Sequence, residues 1–139
     1  MPPPCILVAE DDRYLAAMVK QTLQGEGMRV TLAPNGADAL HHADRLCPDL
    51  VILDVSMPIL SGFDVLSILK ADRSHRDRPV LMLTALRSES DVRRALVNGA
   101  ADYMTKPFRP DQLIMRVGRL LKAGRTTAGP DESTQAVLV

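Results

Sequence analysis

Three short apolar runs in this chain stop on residues able to do chemistry. Ile6-Leu7-Val8-Ala9 halts at Glu10-Asp11-Asp12, Leu50-Val51-Ile52-Leu53 at Asp54, and Val80-Leu81-Met82-Leu83 at Thr84. A shorter run from Asp102 to Thr105 is followed by Lys106-Pro107. Carboxylates gathered in one place repel and raise each other's pKa unless a cation lies among them. Every candidate donor here is an oxygen, with no His or Cys, which selects magnesium over zinc. A lysine opposite that ion balances the remaining charge and clamps the equatorial oxygens of a transferring phosphoryl group. Thr84 adds a hydroxyl donor. A carboxylate nucleophile, a divalent cation, a hydroxyl and an ammonium make a phosphoryl-transfer site whose product is an aspartyl phosphate on Asp54.

Taken singly, these residues have ordinary explanations. Asp54 could form a turn, Lys106 could be a solvated charge, and Thr84 could merely end a strand. Their common position argues otherwise, because the ligand site of an open parallel α/β sheet lies outside the carboxyl ends of its strands. The elements must therefore deliver that sheet. After the first apolar run, Leu15, Met18, Val19, Thr22 and Leu23 repeat at helical spacing until Gly25 and Gly27. Residues 29–32 read as a second strand, and Pro34-Asn35-Gly36 leads into a helix over 37–46 that ends ahead of Pro48. Residues 50–53 and 80–83 are the third and fourth strands. Ser61 and Ser88 are placed to cap the helices that follow them, with Gly62 relaxing the start of the first of these. Residues 102–105 make a fifth strand, and Pro110 opens a last helix striped by Leu113, Ile114, Val117, Leu120 and Leu121. Strict alternation of strand and helix predicts an α/β fold with a parallel sheet covered on both faces.

Length and composition agree. At 139 residues, 46% hydrophobic and 24% charged, the chain suits one globular core. Lys plus Arg equals Asp plus Glu at 17 each, which leaves no overall field for nucleic acid or an anionic membrane. Aromatics are 3% with no Trp, so stacking platforms for single strands are missing as well. Cys5 and Cys47 lack metal-ligand spacing, no leader precedes the first strand, and no apolar stretch reaches the roughly 20 residues of a membrane span, so a reduced, cytoplasmic protein is expected. His41, His42 and His75 read as surface residues without a role. Residues 1–123 form the expected domain, and the Gly-, Ser-, Thr- and Pro-rich remainder, 124–139, is expected to be a flexible tail or linker leading to an absent output domain.

Over residues 5–122 the chain resembles the receiver domains of two-component response regulators. The resemblance is carried by the acidic cluster after the first strand, Leu53-Asp54-Val55-Ser56-Met57-Pro58 with Gly62 beyond, Thr84-Ala85, Gly99-Ala100-Ala101-Asp102-Tyr103, and Lys106-Pro107-Phe108. It implies a flavodoxin-like, doubly wound, five-stranded parallel sheet of order 2-1-3-4-5 with five helices. It further implies that Asp54 accepts phosphate from a histidine kinase or histidine phosphotransfer protein. Mg²⁺ would be ligated by Asp11, Asp54 and the main-chain carbonyl of Ser56, with Glu10 acting through a water and Asp12 the reserve in that acidic run. Lys106 would bind the phosphoryl group opposite the metal, aimed by a cis bond to Pro107. Thr84 and Tyr103 would be the switch pair, Thr84 moving inward and freeing a cavity for the Tyr103 ring, while small Ala85 keeps the entry open. The face of the fourth helix, fifth strand and fifth helix would then change toward a downstream effector or output domain. A homodimer through that face would draw on an Asp102–Arg116 charge pair, whereas Val92 and Gln112 supply no second pair.

Such a protein is a phosphoacceptor rather than a turnover enzyme, with slow hydrolysis of its own phosphoaspartate. An aspartyl-nucleophile phosphatase of the haloacid-dehalogenase type normally carries a second Asp two residues after the nucleophile, where this chain has Ser56. A nucleotide carrier needs a phosphate-cradling loop after the first strand, where this chain is acidic. A mere scaffold would lack the acceptor or the lysine.

Overall fold

The computed structural model describes residues 2–127. The elements alternate throughout: β1 Cys5–Ala9, α1 Arg13–Gln24, β2 Arg29–Ala33, α2 Gly36–Leu46, β3 Leu50–Leu53, α3 Gly62–Ala71, β4 Val80–Thr84, α4 Glu89–Val97, β5 Asp102–Thr105 and α5 Pro110–Thr127. All strand pairs are parallel, in the order β2-β1-β3-β4-β5. This is the expected doubly wound sheet with five helices.

The period-2 alternation of strands divides the interior into two cores. Ile6 and Val8 of β1, Leu50 and Ile52 of β3, and Leu81 and Leu83 of β4 face α1 and α5, where Val19, Leu23, Leu113 and Val117 pack on them. Leu7, Ala9, Val51, Leu53, Val80 and Met82 point the other way, toward Ala39, Ala43, Phe63, Leu66 and Ala95 of α2, α3 and α4. Central strands buried on both faces must be apolar without interruption, which is why their runs break only where the strands end.

Caps set the helix starts. Asp12 accepts from the amides of Tyr14 and Leu15, Asn35 from Asp38, and Ser88 from Asp91, while Ser61 and Asp64 form a reciprocal capping box. Among the helices, α4 is lightly anchored: Ala95 is its buried residue, and the Arg94 guanidinium lies 4.1 Å from the centre of the Phe63 ring.

Two expectations need correction. The helical pattern does not dissolve at Ala123, because α5 continues to Thr127. A single Gly costs a helix interior only about 1 kcal/mol, and an established helix propagates through it. The rest of the expected tail, 128–139, lies outside the described residues. His75, read as a surface residue, is 3% exposed. Its Nε2 lies 2.7 Å from Asp44 Oδ1, and Arg78 Nε donates to its Nδ1 at 3.1 Å. Arginine has donors only, so Nδ1 must be the acceptor and Nε2–H donates to Asp44. With that tautomer Nε2 has no lone pair for a metal, although Asp44, Asp72 and His75 stand close enough to share one. Arg78 also donates to the Pro48 carbonyl at 2.6 Å, so this network ties the α3–β4 connection to the segment entering β3.

His75→Ala strands the Arg78 Nε–H, so unfolding in urea should show a loss of about 1–3 kcal/mol. His41→Ala, on the exposed side of α2, should change stability by less than about 0.5 kcal/mol. Equal effects of the two substitutions would remove the stabilising role from the His75 network.

Candidate functional site

Backbone pairing carries on just past the strand ends. Asp54 N–H donates to Ala9 C=O and Glu10 N–H to Ala33 C=O, both at 3.0 Å, and Lys106 N–H donates to Thr84 C=O at 2.9 Å. These bonds fix the main chain of three site residues on one edge of the sheet. Their side chains meet there. Lys106 Nζ lies 2.7 Å from Glu10 Oε1 and 3.2 Å from Asp54 Oδ2. Both carboxylates are 5% exposed. The second oxygen of each is also occupied, Asp54 Oδ1 by Ser56 N–H at 3.2 Å and Glu10 Oε2 by Asp12 N–H at 3.1 Å.

Glu10, Asp11 and Asp54 offer carboxylate oxygens within 4.8 Å of one another. One ammonium faces three carboxylates, an imbalance of sign and donor type that fits a hard divalent cation. Asp12 is engaged as the cap of α1. Burial pushes Glu10 up to about 7, against the hydrogen bonds from Lys106 and Asp12 that favour its charge; the Asp54 carboxylate adds to the rise. Burial disfavours the Lys106 charge, but the Glu10 hydrogen bond and the two carboxylates outweigh it and hold the ammonium above its ordinary value.

Thr84 is fully buried, and its Oγ1 accepts from Leu86 N–H at 3.3 Å. Leu86 C=O in turn accepts from the Tyr103 hydroxyl at 2.7 Å. Leu86 thus joins the two expected switch residues through its own backbone. The Tyr103 ring is already inside, at 9% exposure, rather than waiting to enter a vacated cavity. Desolvation first, then the Asp91 and Asp54 charges, raise its hydroxyl pKa and keep it a donor. Ala85 lines a cleft of about 410 Å³ with Leu15, Met18, Lys106 and Phe108, so the small side chain borders an opening beside the lysine. The Lys106–Pro107 bond is cis. Arg116 Nη1 contacts both Asp102 oxygens, at 3.0 and 3.1 Å, so this pair forms within one chain.

Sequence reasoning undervalued Gly62. A Cβ there would collide with the Asp54 carbonyl oxygen and stand 2.8 Å from both the Asp54 carbonyl carbon and Val55 Cα. Gly62 N–H donates to Val55 C=O at 2.9 Å, so the first turn of α3 lies directly against the backbone of the acidic residue. The Ser-Gly start of a helix signalled flexibility, but the close approach depends on what lies across the loop.

Residues 6–118 match the response regulator receiver domain family. The DNA-binding response regulator MtrA of Mycobacterium tuberculosis is 42% identical over 117 residues, which are 84% of this chain and 50% of that protein. The transcriptional regulatory protein PrrA of Mycobacterium leprae is 38% identical over 134 residues, 96% of this chain and 57% of that one. The chain therefore spans about half the length of these relatives. Among solved structures, the receiver domain of the Francisella response regulator 1452 has a TM-score of 0.81 at 37% identity, covering 86% of this chain and 98% of its own. The chemotaxis protein CheY4 of Vibrio cholerae likewise scores 0.81, at 30% identity, with 85% and 98% covered.

Gly62→Ala should cost about 1–3 kcal/mol, measured by thermal or urea unfolding, because backbone has to yield. An unchanged midpoint would mean that the loop relaxes freely. Glu10 also sets a pH dependence. Its folded pKa lies above that of an exposed glutamate, so its stabilising contribution is complete below about pH 4.5 and is lost as pH rises through about 7. In chelator-treated protein the resulting slope is at most about 1.4 kcal/mol per pH unit. Glu10→Gln should flatten it across that window, and an identical slope in the variant would contradict the assignment.

Proposed function

The chain belongs to the response regulator receiver domain family, and on that premise we propose that Asp54 accepts a phosphoryl group from a histidine kinase or histidine phosphotransfer protein. The observation that carries this reading is Lys106 Nζ held between Glu10 and Asp54 beside an exposed third carboxylate. In the transfer, the donor's N–P bond breaks as an Asp54 oxygen forms the new O–P bond, and the freed imidazole nitrogen leaves as a weakly basic group. Lys106 balances charge on the phosphoryl oxygens, and the Ser56 amide orients the carboxylate. Asp11, Asp54, the Ser56 main-chain carbonyl and, through water, Glu10 would hold Mg²⁺. That ion supplies charge neutralisation between the acceptor and the incoming oxygens.

The outgoing signal starts at Thr84. For its hydroxyl to reach a new phosphoryl oxygen it must give up the Leu86 amide, and Leu86 is bonded to Tyr103 through its carbonyl. Movement therefore passes to the β4–α4 loop and on to the face of α4, β5 and α5, the proposed surface for an effector, an output domain or a homodimer. MtrA is named as DNA-binding and PrrA as a transcriptional regulator, and each is about twice the matched length. That supports reading residues 1–123 as the receiver and the following segment as a linker toward an output module. No described helix is long and apolar enough to cross a membrane, and ATP-fed kinases work in the cytoplasm, which supports that location. Ser56, in place of a second acid, favours a held phosphoaspartate over phosphatase turnover.

Incubation with acetyl phosphate and Mg²⁺ should add one phosphoryl group to the intact mass. Asp54→Asn should abolish the gain, and Lys106→Ala should slow it by about 10²-fold or more. Failure to gain a Mg²⁺-dependent group would end the phosphoacceptor reading, and steady phosphate release over many turnovers would favour a phosphatase.

A further inference from the structure

Ile59 has no packing role in the fold. It adopts φ 70°, and Leu60 N–H donates across it to Pro58 C=O at 2.7 Å. Residues 58–60 therefore make a γ-turn of the positive-φ kind, which is rare and strained. A β-branched side chain is an outlier there, whereas glycine would be at ease. Burial does not offset the cost, since Ile59 is completely exposed at 105%. Its neighbour Leu60 turns inward against α2, its carbonyl oxygen 2.8 Å from where a Cβ on Gly36 would stand. What Ile59 contributes is an aliphatic surface held outward.

That surface borders a groove of about 370 Å³ that it shares with Pro34, Asn35, Gly36, Ala37 and Pro58. Position argues for the occupant. One wall is the loop running directly from Asp54 through Ser56, and Asp54 is only 5% exposed, so a protein that delivers a phosphoryl group must press onto this rim. The chain's own onward segment leaves from the other end of the sheet, where a Cβ on Gly124 would stand 3.9 Å from Pro79, the residue before β4. We propose that Ile59 and this groove are a docking contact for the protein phosphodonor, receiving an aliphatic side chain presented beside its phosphohistidine. The assignment rests on the phosphoacceptor reading and names a partner contact for it.

The test compares wild type with Ile59→Gly and Ile59→Asn, both at ease at positive φ. The protein probe is the sensor-kinase core, labelled on histidine with radioactive ATP, that transfers fastest to the wild-type chain; the small probe is acetyl phosphate. Transfer from the kinase core should slow on the order of tenfold in both variants, the scale of one lost aliphatic contact. Labelling by acetyl phosphate should stay within twofold, and the melting temperature should hold or rise by up to roughly 4 °C as strain is relieved. Equal kinase transfer in wild type and variants, or no transfer from any kinase core to a chain that acetyl phosphate labels, overturns the docking contact. Self-association of wild type that both variants lose would instead give the groove to a second copy and also overturn it. Absence of acetyl phosphate labelling at Asp54 would strike the phosphoacceptor reading itself.

Discussion

A lysine drawn out of water between two carboxylates is the constraint around which this molecule is arranged. Neither Glu10 nor Asp54 is solvated enough to carry its charge alone, and Lys106 is kept charged by the pair it serves. Removing one partner of such a buried arrangement leaves the others uncompensated, a loss of about 3–5 kcal/mol in comparable cases. The three groups come from positions far apart in the chain, so only a sheet with the right strand order can hold them. The backbone bonds from Glu10, Asp54 and Lys106 to neighbouring strands keep these residues in step with the sheet. Around that ion pair the remaining devices are local: Asp12 divides its attention between capping α1 and, through its amide, bonding Glu10, while Gly62 lets α3 begin against the Asp54 backbone.

Much of this arrangement was legible along the chain because its signals are linear. Central strands covered on both faces must be unbroken apolar runs, so Glu10, Asp54 and Thr84 announced themselves by ending them. Serine caps and a proline marked three of the helices in the same way. What escaped notice depends on what lies opposite a residue in space. His75 sits in a polar stretch and gave no hint that Asp44, thirty-one positions earlier, and Arg78 would enclose it. Gly62 looked like a flexible start, and only the folded loop brings the Asp54 carbonyl against it. Gly124 looked like a stop, but a helix already packed along the sheet runs through it. The Tyr103 ring was expected to enter later, whereas the Leu86 carbonyl already gives its hydroxyl a buried partner.

The division of the interior into two cores separates duties. Residues under α1 and α5 brace the sheet from the face away from Tyr103, while the core under α2, α3 and α4 contains Tyr103 and Phe63. Strain follows the same geography: the positive-φ turn at Ile59 lies on the loop leaving Asp54, on the side of α2.

The light anchoring of α4 has an energetic corollary. A helix that buries little beyond Ala95 and rests one guanidinium on the Phe63 ring lies in a shallow well, so its alternative placements differ from the resting one by little free energy. Near such a balance, a bias of about 1.4 kcal/mol changes a population ratio tenfold. The receiver can therefore be read as a comparator, in which one covalent change at a rigid edge is registered mainly as occupancy of its loosest helix.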